Sequence, residues 1–205
     1  MLAAADFELL LFRALLSLLL VFSPGFTIAS STGPVAGASG VPAAGDTPAE
    51  ITCIACHVDY PLDPDSLGHI KLSGLPVKYV PGRTYTLTLE VGHPEAQRWG
   101  FQLTAVAGTD LHGAGDFAPL PGDHMTQRVG DGVLGRVYIE HGAIGRATGV
   151  GHMGGFSWQF SWTAPKNDEG DVTFYGVFNA ANGDGSNGGD KIYAPPGGIL
   201  AICRG

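Results

Sequence analysis

Cysteine is scarce, with 3 in 205 residues, and beyond Cys53 and Cys56 the only other is Cys203 near the far end. A zinc site wants two further Cys or His ligands at short spacing, so the close pair makes a poor one. Convincing helical periodicity is missing after Leu67, while Gly reaches 32 and Pro 14, which leaves an all-β sandwich as the natural architecture. Positive charge is also short. Eleven Lys and Arg face 19 Asp and Glu, a net charge of -8, which argues against nucleic acid and anionic membrane surfaces as partners and suits a basic redox partner protein. No segment presents a nucleophile elbow or a glycine-rich phosphate loop, and the Ser, His and Asp residues form no set that commits to hydrolysis. No catalytic residue is assigned, and an electron carrier or binding module is expected before an enzyme.

One long apolar run exists, at the start. Leu9 to Phe22 is almost unbroken, interrupted by Arg13, and Thr27-Ile28-Ala29 offers the small residues a signal peptidase reads, with cleavage before Ser30. Asp6 and Glu8 make the segment ahead of the run atypical. Residues 1–29 are read as a cleaved export signal, a retained anchor being the alternative; Ala14 to Phe22 is too short to span a bilayer and Pro24-Gly25 ends it. No stable membrane span is expected once the signal is gone, and the location is periplasmic or extracellular. Residues 30–50, rich in Gly, Ala, Ser and Pro without apolar period, read as a flexible leader. The remaining chain, about 155 residues, suffices for one domain with one core.

Within it the strands announce themselves. Tyr85-Thr86-Leu87-Thr88-Leu89-Glu90-Val91 alternates apolar and polar, bounded by Pro81-Gly82 and Gly92-His93-Pro94. Further strands are predicted over Trp99 to Ala107 and Arg136 to Glu140. Phe156-Ser157-Trp158-Gln159-Phe160-Ser161-Trp162 puts four aromatics on one face, read as core packing. Val172 to Asn179 follows the turn Lys166-Asn167-Asp168-Glu169-Gly170 as the second arm of a hairpin, and a last short strand covers Ile199 to Ile202.

The chemistry lies ahead of these strands, in Cys53-Ile54-Ala55-Cys56-His57. This C-x-x-C-H is the pattern of c-type haem attachment. Two thiols three residues apart lie on one helical turn, so both can form thioethers along one porphyrin edge, and His57 then sits beneath the iron as proximal ligand. A thioredoxin-like dithiol would need a long following helix, whereas Val58-Asp59-Tyr60-Pro61-Leu62-Asp63-Pro64 breaks any helix early. Residues 51–70 are assigned as the haem-attachment segment, for one covalent haem c, and 71–205 as the sandwich.

Several stretches, in order, resemble the secreted choice-of-anchor V domain, itself similar to the Reeler domain of extracellular and membrane reductase proteins: the C-x-x-C-H, Tyr79-Val80-Pro81-Gly82-Arg83-Thr84-Tyr85, Gly100-Phe101-Gln102-Leu103, Tyr138-Ile139-Glu140-His141, Trp158 to Pro165, Val172-Thr173-Phe174-Tyr175 and Asn179-Ala180-Ala181-Asn182-Gly183. The resemblance covers Pro48 to Tyr193. It implies an immunoglobulin-like antiparallel β-sandwich with the haem segment at its N-terminal edge, and little about chemistry. Many members carry a C-terminal anchor tail that is not seen after Ala201-Ile202-Cys203-Arg204-Gly205, so a soluble or partner-bound protein is expected.

A haem held by His57 leaves the opposite face of the iron to be filled. His141 is the first candidate, because it ends a predicted strand, a strand end holds an imidazole firmly, and the resemblance includes a histidine there. His152 and Met153, adjacent in a glycine-rich loop, are the alternatives, followed by His124 and Met125, then an open site. His69, His93 and His112 are read as solvated loop residues. Two histidines would favour a low-potential electron carrier, methionine a higher potential, and an open face sensor or peroxidase chemistry. The stretch Asn182 to Asp190 has the oxygen-rich look of a calcium loop but lacks the spacing and terminal Glu of an EF-hand, and is read first as a polar connection. Cys203 is either a buried thiol or an intermolecular bridge. The expected function is periplasmic or extracellular electron transfer, with a Reeler-like adhesion or scaffold module carrying a structural cysteine pair as the alternative.

Overall fold

The computed structural model describes residues 33–130, 132–142 and 152–205; the export signal expected over residues 1–29 lies outside them. Eleven strands follow one another: β1 (His69–Ser73), β2 (Thr84–His93), β3 (Arg98–Ala107), β4 (His112–Gly113), β5 (Asp116–Pro119), β6 (Thr126–Val129), β7 (Tyr138–His141), β8 (Gly154–Thr163), β9 (Val172–Ala181), β10 (Lys191–Tyr193) and β11 (Ile199–Cys203). They form two antiparallel sheets, one in the order β1-β2-β8-β5 and a larger one in the order β10-β9-β3-β7-β6, to which β11 adds on β9 and β4 on β3. The fold is the all-β sandwich expected.

Alternation builds the core. Leu87, Leu89 and Val91 of β2 oppose Phe160, Trp158 and Phe156 of β8 in register, so one face of the small sheet is apolar throughout. It packs on Trp99, Phe101, Leu103 and Ala105 of β3 and on Val172, Phe174 and Phe178 of β9. Trp162, fully buried, stands edge-on to Phe174 and donates its indole N–H to the Ala114 carbonyl. Cys203 is fully buried too, with its thiol on the Pro76 carbonyl, so it is a core thiol.

The structure departs from the sequence reading in four places. β8 and β9 are no hairpin, since β8 pairs with β2 and β5 while β9 pairs with β3, β10 and β11. The turn at 166–170 carries the chain between the sheets. The third strand begins at Tyr138 because Arg136 closes a 3-10 turn over Val133–Gly135, and His141 belongs to the strand itself. His93 is 1 % exposed, stacked beside Tyr193, and no solvated loop residue.

The fourth departure concerns the leader, whose described part is packed. Ala38, Ser39 and Val41 are buried, with Val41 against Val106 and Tyr175 on the outer face of the large sheet. Gln102, on that face of β3, accepts from the Ala38 amide at 2.6 Å and donates to the Val35 carbonyl at 2.9 Å. Glu50 receives the Arg136 guanidinium at 2.9 Å and the hydroxyls of Tyr138 and Ser39, both at 2.5 Å. Small residues let this segment lie flat, and the buried polar groups of the sheet bind it in place of water. Thus the large sheet is covered on both faces. β1 starts at His69, inside the segment 51–70 that was expected to precede the sandwich.

Candidate functional site

Cys53, Cys56 and His57 lie on a single turn. Cys53–Ala55 form a 3-10 turn, and the Cys53 carbonyl accepts from the amides of Cys56 at 3.2 Å and His57 at 3.0 Å. Both cysteines are free thiols. Burial pushes the Cys53 thiol up to about 12, with nearby Cys56 and Glu140 reinforcing the shift and a backbone hydrogen bond opposing it. A nucleophilic dithiol needs the opposite, a thiolate favoured by its surroundings.

His57 is fixed by residues far along the chain. Its Nδ1 is 2.9 Å from Oδ2 of Asp190, which is 2 % exposed. A carboxylate only accepts, so Nδ1 carries the proton and Nε2 keeps its lone pair in the neutral ring. The Asn179 amide donates to Asp190 Oδ2 at 3.3 Å and lies 3.4 Å from each ring nitrogen. The loop from Asn182 to Asp190 clamps the turn from outside: Asn187 donates to the Cys56 carbonyl at 2.6 Å, and the Gly189 amide to Asp59 at 2.7 Å. Within the loop, Asn182, Asp184 and Ser186 each accept from a backbone amide two residues on.

His141 approaches from the other side. The ladder between β3 and β7 ends at Gln102 opposite Glu140, and the next β3 residue, Phe101, meets the His141 imidazole instead. His141 Nδ1 lies 3.1 Å from the Phe101 amide nitrogen and 3.2 Å from its carbonyl oxygen. When Nδ1–H donates to that carbonyl, Nε2 is free as a ligand. Gly100 makes room: a Cβ there would stand 2.8 Å from Cε1 of His141. Burial pulls the His141 imidazole below its ordinary value; the Phe101 backbone bond opposes this and the charge of neighbouring His57 adds to it. The ring is therefore held in the neutral form a metal ligand requires.

These groups share one cleft of about 310 Å³. Its walls include both thiols, His57, His141 and an apolar lining from Pro34, Val35, Ala38 and Ile51. Three buried polar atoms on the same walls have no hydrogen-bond partner among the described residues: Thr52 Oγ1, Arg98 Nε and Asn179 Oδ1. Buried polar atoms left unpaired are costly and point to a missing partner. These residue types are ones a haem would use: Cys53 and Cys56 could form the thioethers, His57 and His141 could ligate the iron, and the Arg98 guanidinium could meet a propionate. Among the described residues no three His, Cys, Asp or Glu side chains are placed to hold a metal ion. A haem iron draws four nitrogens from the porphyrin and asks the protein for only one or two more.

The alternative ligands lie elsewhere. His152 stacks edge-on with Phe156 and lines a groove with His69, Lys71 and Glu90, and Met153 is 63 % exposed. His124 is exposed, and Met125 packs on the core. His112 pairs with Asp110 at 2.7 Å. The sequence reading missed Asp190, Asn179, Arg98 and Gly100. Asn179 and Asp190 fall in or beside the polar stretch flagged for calcium, but nothing local says that it faces Cys53 to His57.

The fold and site together describe a β-sandwich with a histidine-faced cleft on the outer side of its larger sheet. No protein-family model and no curated protein matches the sequence. Among solved structures the chain is similar to the Reelin-N domain of F-spondin, at 22% identity over 68% of this chain and 86% of that one, with a TM-score of 0.44. It is likewise similar to the human F-spondin reeler domain, at 21% identity over 62% and 80%, TM-score 0.39. A cohesin module of a Clostridium perfringens family 33 glycoside hydrolase follows at 9% identity over 68% and 97%, TM-score 0.40. At these identities and TM-scores the likeness says nothing about ligands. No helix among the described residues is long and apolar enough to cross a membrane.

Proposed function

We propose that this chain is an exported monohaem c-type protein used for electron transfer in the periplasm or outside the cell. In this reading Cys53 and Cys56 hold the haem by thioethers, His57 is the proximal ligand and His141 the distal one. The observation that carries it is the convergence of His57 and His141, distant in sequence, on one cleft that both thiols also line. Haem c bound between two imidazoles supplies a low-potential one-electron couple. The rest falls to the chain's own residues. Asp190 fixes the tautomer of His57, the Phe101 carbonyl can fix that of His141, Arg98 would meet a haem propionate, and Trp99 and Phe101 keep water from the interior side. The acidic balance of the chain suits a basic redox partner.

Export expression beside a c-type maturation system tests this. The expected product carries the mass of one haem, shows a c-type α band in the reduced minus oxidised spectrum, and keeps the haem through acid acetone extraction; Cys53→Ser with Cys56→Ser abolishes all three. A second reading rests on the sandwich itself: a Reeler-like adhesion or scaffold module in which Cys53 and Cys56 form a structural pair. A mass two hydrogens below the polypeptide, without haem, would establish that reading and remove the first.

A further inference from the structure

Asp190 does more for His57 than hold it still. It lies just ahead of β10, at the end of the glycine-rich loop, and is almost wholly buried. Every group facing it is a donor: His57 Nδ1 at 2.9 Å and Asn179 Nδ2 at 3.3 Å on Oδ2, and the Asn182 amide at 3.1 Å on Oδ1. The nearest part of the same loop is bonded to the backbone of the C-x-x-C-H turn through Asn187. A hydrogen bond from a metal-bound imidazole to a carboxylate raises the basicity of the nitrogen on the metal, more than a bond to a neutral carbonyl does. Among the described residues His141 Nδ1 meets the Phe101 backbone and no carboxylate. The two imidazoles of the cleft are thus unequal.

We infer that Asp190 is a positioning residue that makes His57 the stronger of two axial donors and so sets the iron toward the ferric state, the loop from Asn182 to Asp190 serving to bring that carboxylate to the haem turn. This rests on the haem reading of the site. No atom is transferred: the carboxylate polarises the Nδ1–H bond, and the electron density gained at Nε2 favours the higher oxidation state.

Redox titration of the holoprotein tests it, with intact mass recorded on every sample. Asp190→Asn keeps an acceptor for Nδ1–H but removes the charge, and is expected to move the ferrous to ferric ratio at fixed applied potential about tenfold toward ferrous, a midpoint about 59 mV more positive. Asp190→Glu is expected to return the midpoint toward the wild-type value. A second measurement reads the bond from iron to His57 directly, and Asp190→Glu, which keeps the charge, should leave that band near its wild-type position. In His141→Ala holoprotein, with the distal imidazole removed, the ferrous iron to His57 stretching band should fall in wavenumber when Asp190→Asn is added. Covalent haem with an unchanged midpoint and an unchanged band overturns the role of Asp190 and leaves the haem reading standing. Reduced haem yield at an unchanged midpoint also overturns it, since Asp190 would then be structural only. Failure of the wild-type chain to gain the haem mass overturns the haem reading itself, an outcome seen before any titration.

Discussion

The two faces of the large sheet are both buried, yet they are built on opposite chemistry. The inner face, from Phe101, Leu103, Phe174 and Phe178, meets the aromatic stripe of β8 and holds by apolar area. The outer face carries Gln102, Thr104 and Glu140, all essentially inaccessible to water, and holds residues 33–52 through hydrogen bonds and one buried ion pair. Apolar burial is non-directional and forgiving of position, whereas a buried polar contact is worth having only if every partner is present. The cleft with the two histidines lies on the polar side, where direction is available to hold imidazoles and carboxylates.

The sharpest test of that contrast removes one large group from each face. Trp162→Ala empties the site of one of the largest fully buried side chains, and is expected to cost about 5 kcal/mol in global unfolding free energy. Glu50→Ala leaves Arg136, itself 0 % exposed, without its carboxylate, and strips Tyr138 and Ser39 of their acceptor. It is expected to cost about 3 kcal/mol, the lower end for a broken buried pair because Arg136 Nε keeps the Leu111 carbonyl. Denaturant melts give both numbers, and limited proteolysis separates them. Glu50→Ala should open residues 33–52 to cleavage while the sandwich stays resistant, and Trp162→Ala should weaken both together. Equal protection of residues 33–52 in the two variants would dissolve the distinction.

The same contrast explains what could be read in advance. The inner face was legible because Tyr85 to Val91 and Phe156 to Trp162 alternate with period two, and that pattern has one structural meaning. The fixed spacing of Cys53, Cys56 and His57 was equally local, and the histidine at a strand end singled out His141. The outer face left no such trace. Ala38, Ser39 and Val41 sit among glycines and prolines that look like a leader, because a segment bound by hydrogen bonds to a sheet needs small residues and no apolar period. Asp190 was invisible as a partner of His57 because its role comes from pairing across the fold, and its neighbourhood of Asn, Gly and Ser has several local meanings. The hairpin expected between β8 and β9 failed for a related reason. A turn of that composition says that the chain reverses, not which sheet the next strand joins.

A third kind of contact joins the two regions, and it titrates. Beyond His57 the chain is tied to β10 by carboxylates: Asp63 accepts from the Ala194 amide, while Asp65 accepts from the Tyr193 hydroxyl at 2.7 Å and the Leu67 amide at 2.9 Å and pairs with Lys191 at 3.1 Å. Burial alone would raise the Asp65 carboxyl, but the bonds from Tyr193, Leu67 and Lys191 outweigh it and hold the group well below the usual carboxylate range. A carboxyl depressed in the folded state adds stability that is complete above its unfolded value, near 3.9, and is lost as the pH falls toward the folded one. The stability gap between wild type and Asp65→Asn should therefore be constant from about pH 7 to 5 and shrink steadily below about pH 4. Part of Asp65 remains open to solvent, so the gap should be smaller than that of either buried substitution. Melting temperatures of the two proteins across that range check it, and a gap undiminished at pH 3 would mean that Asp65 acts by shape and not by charge.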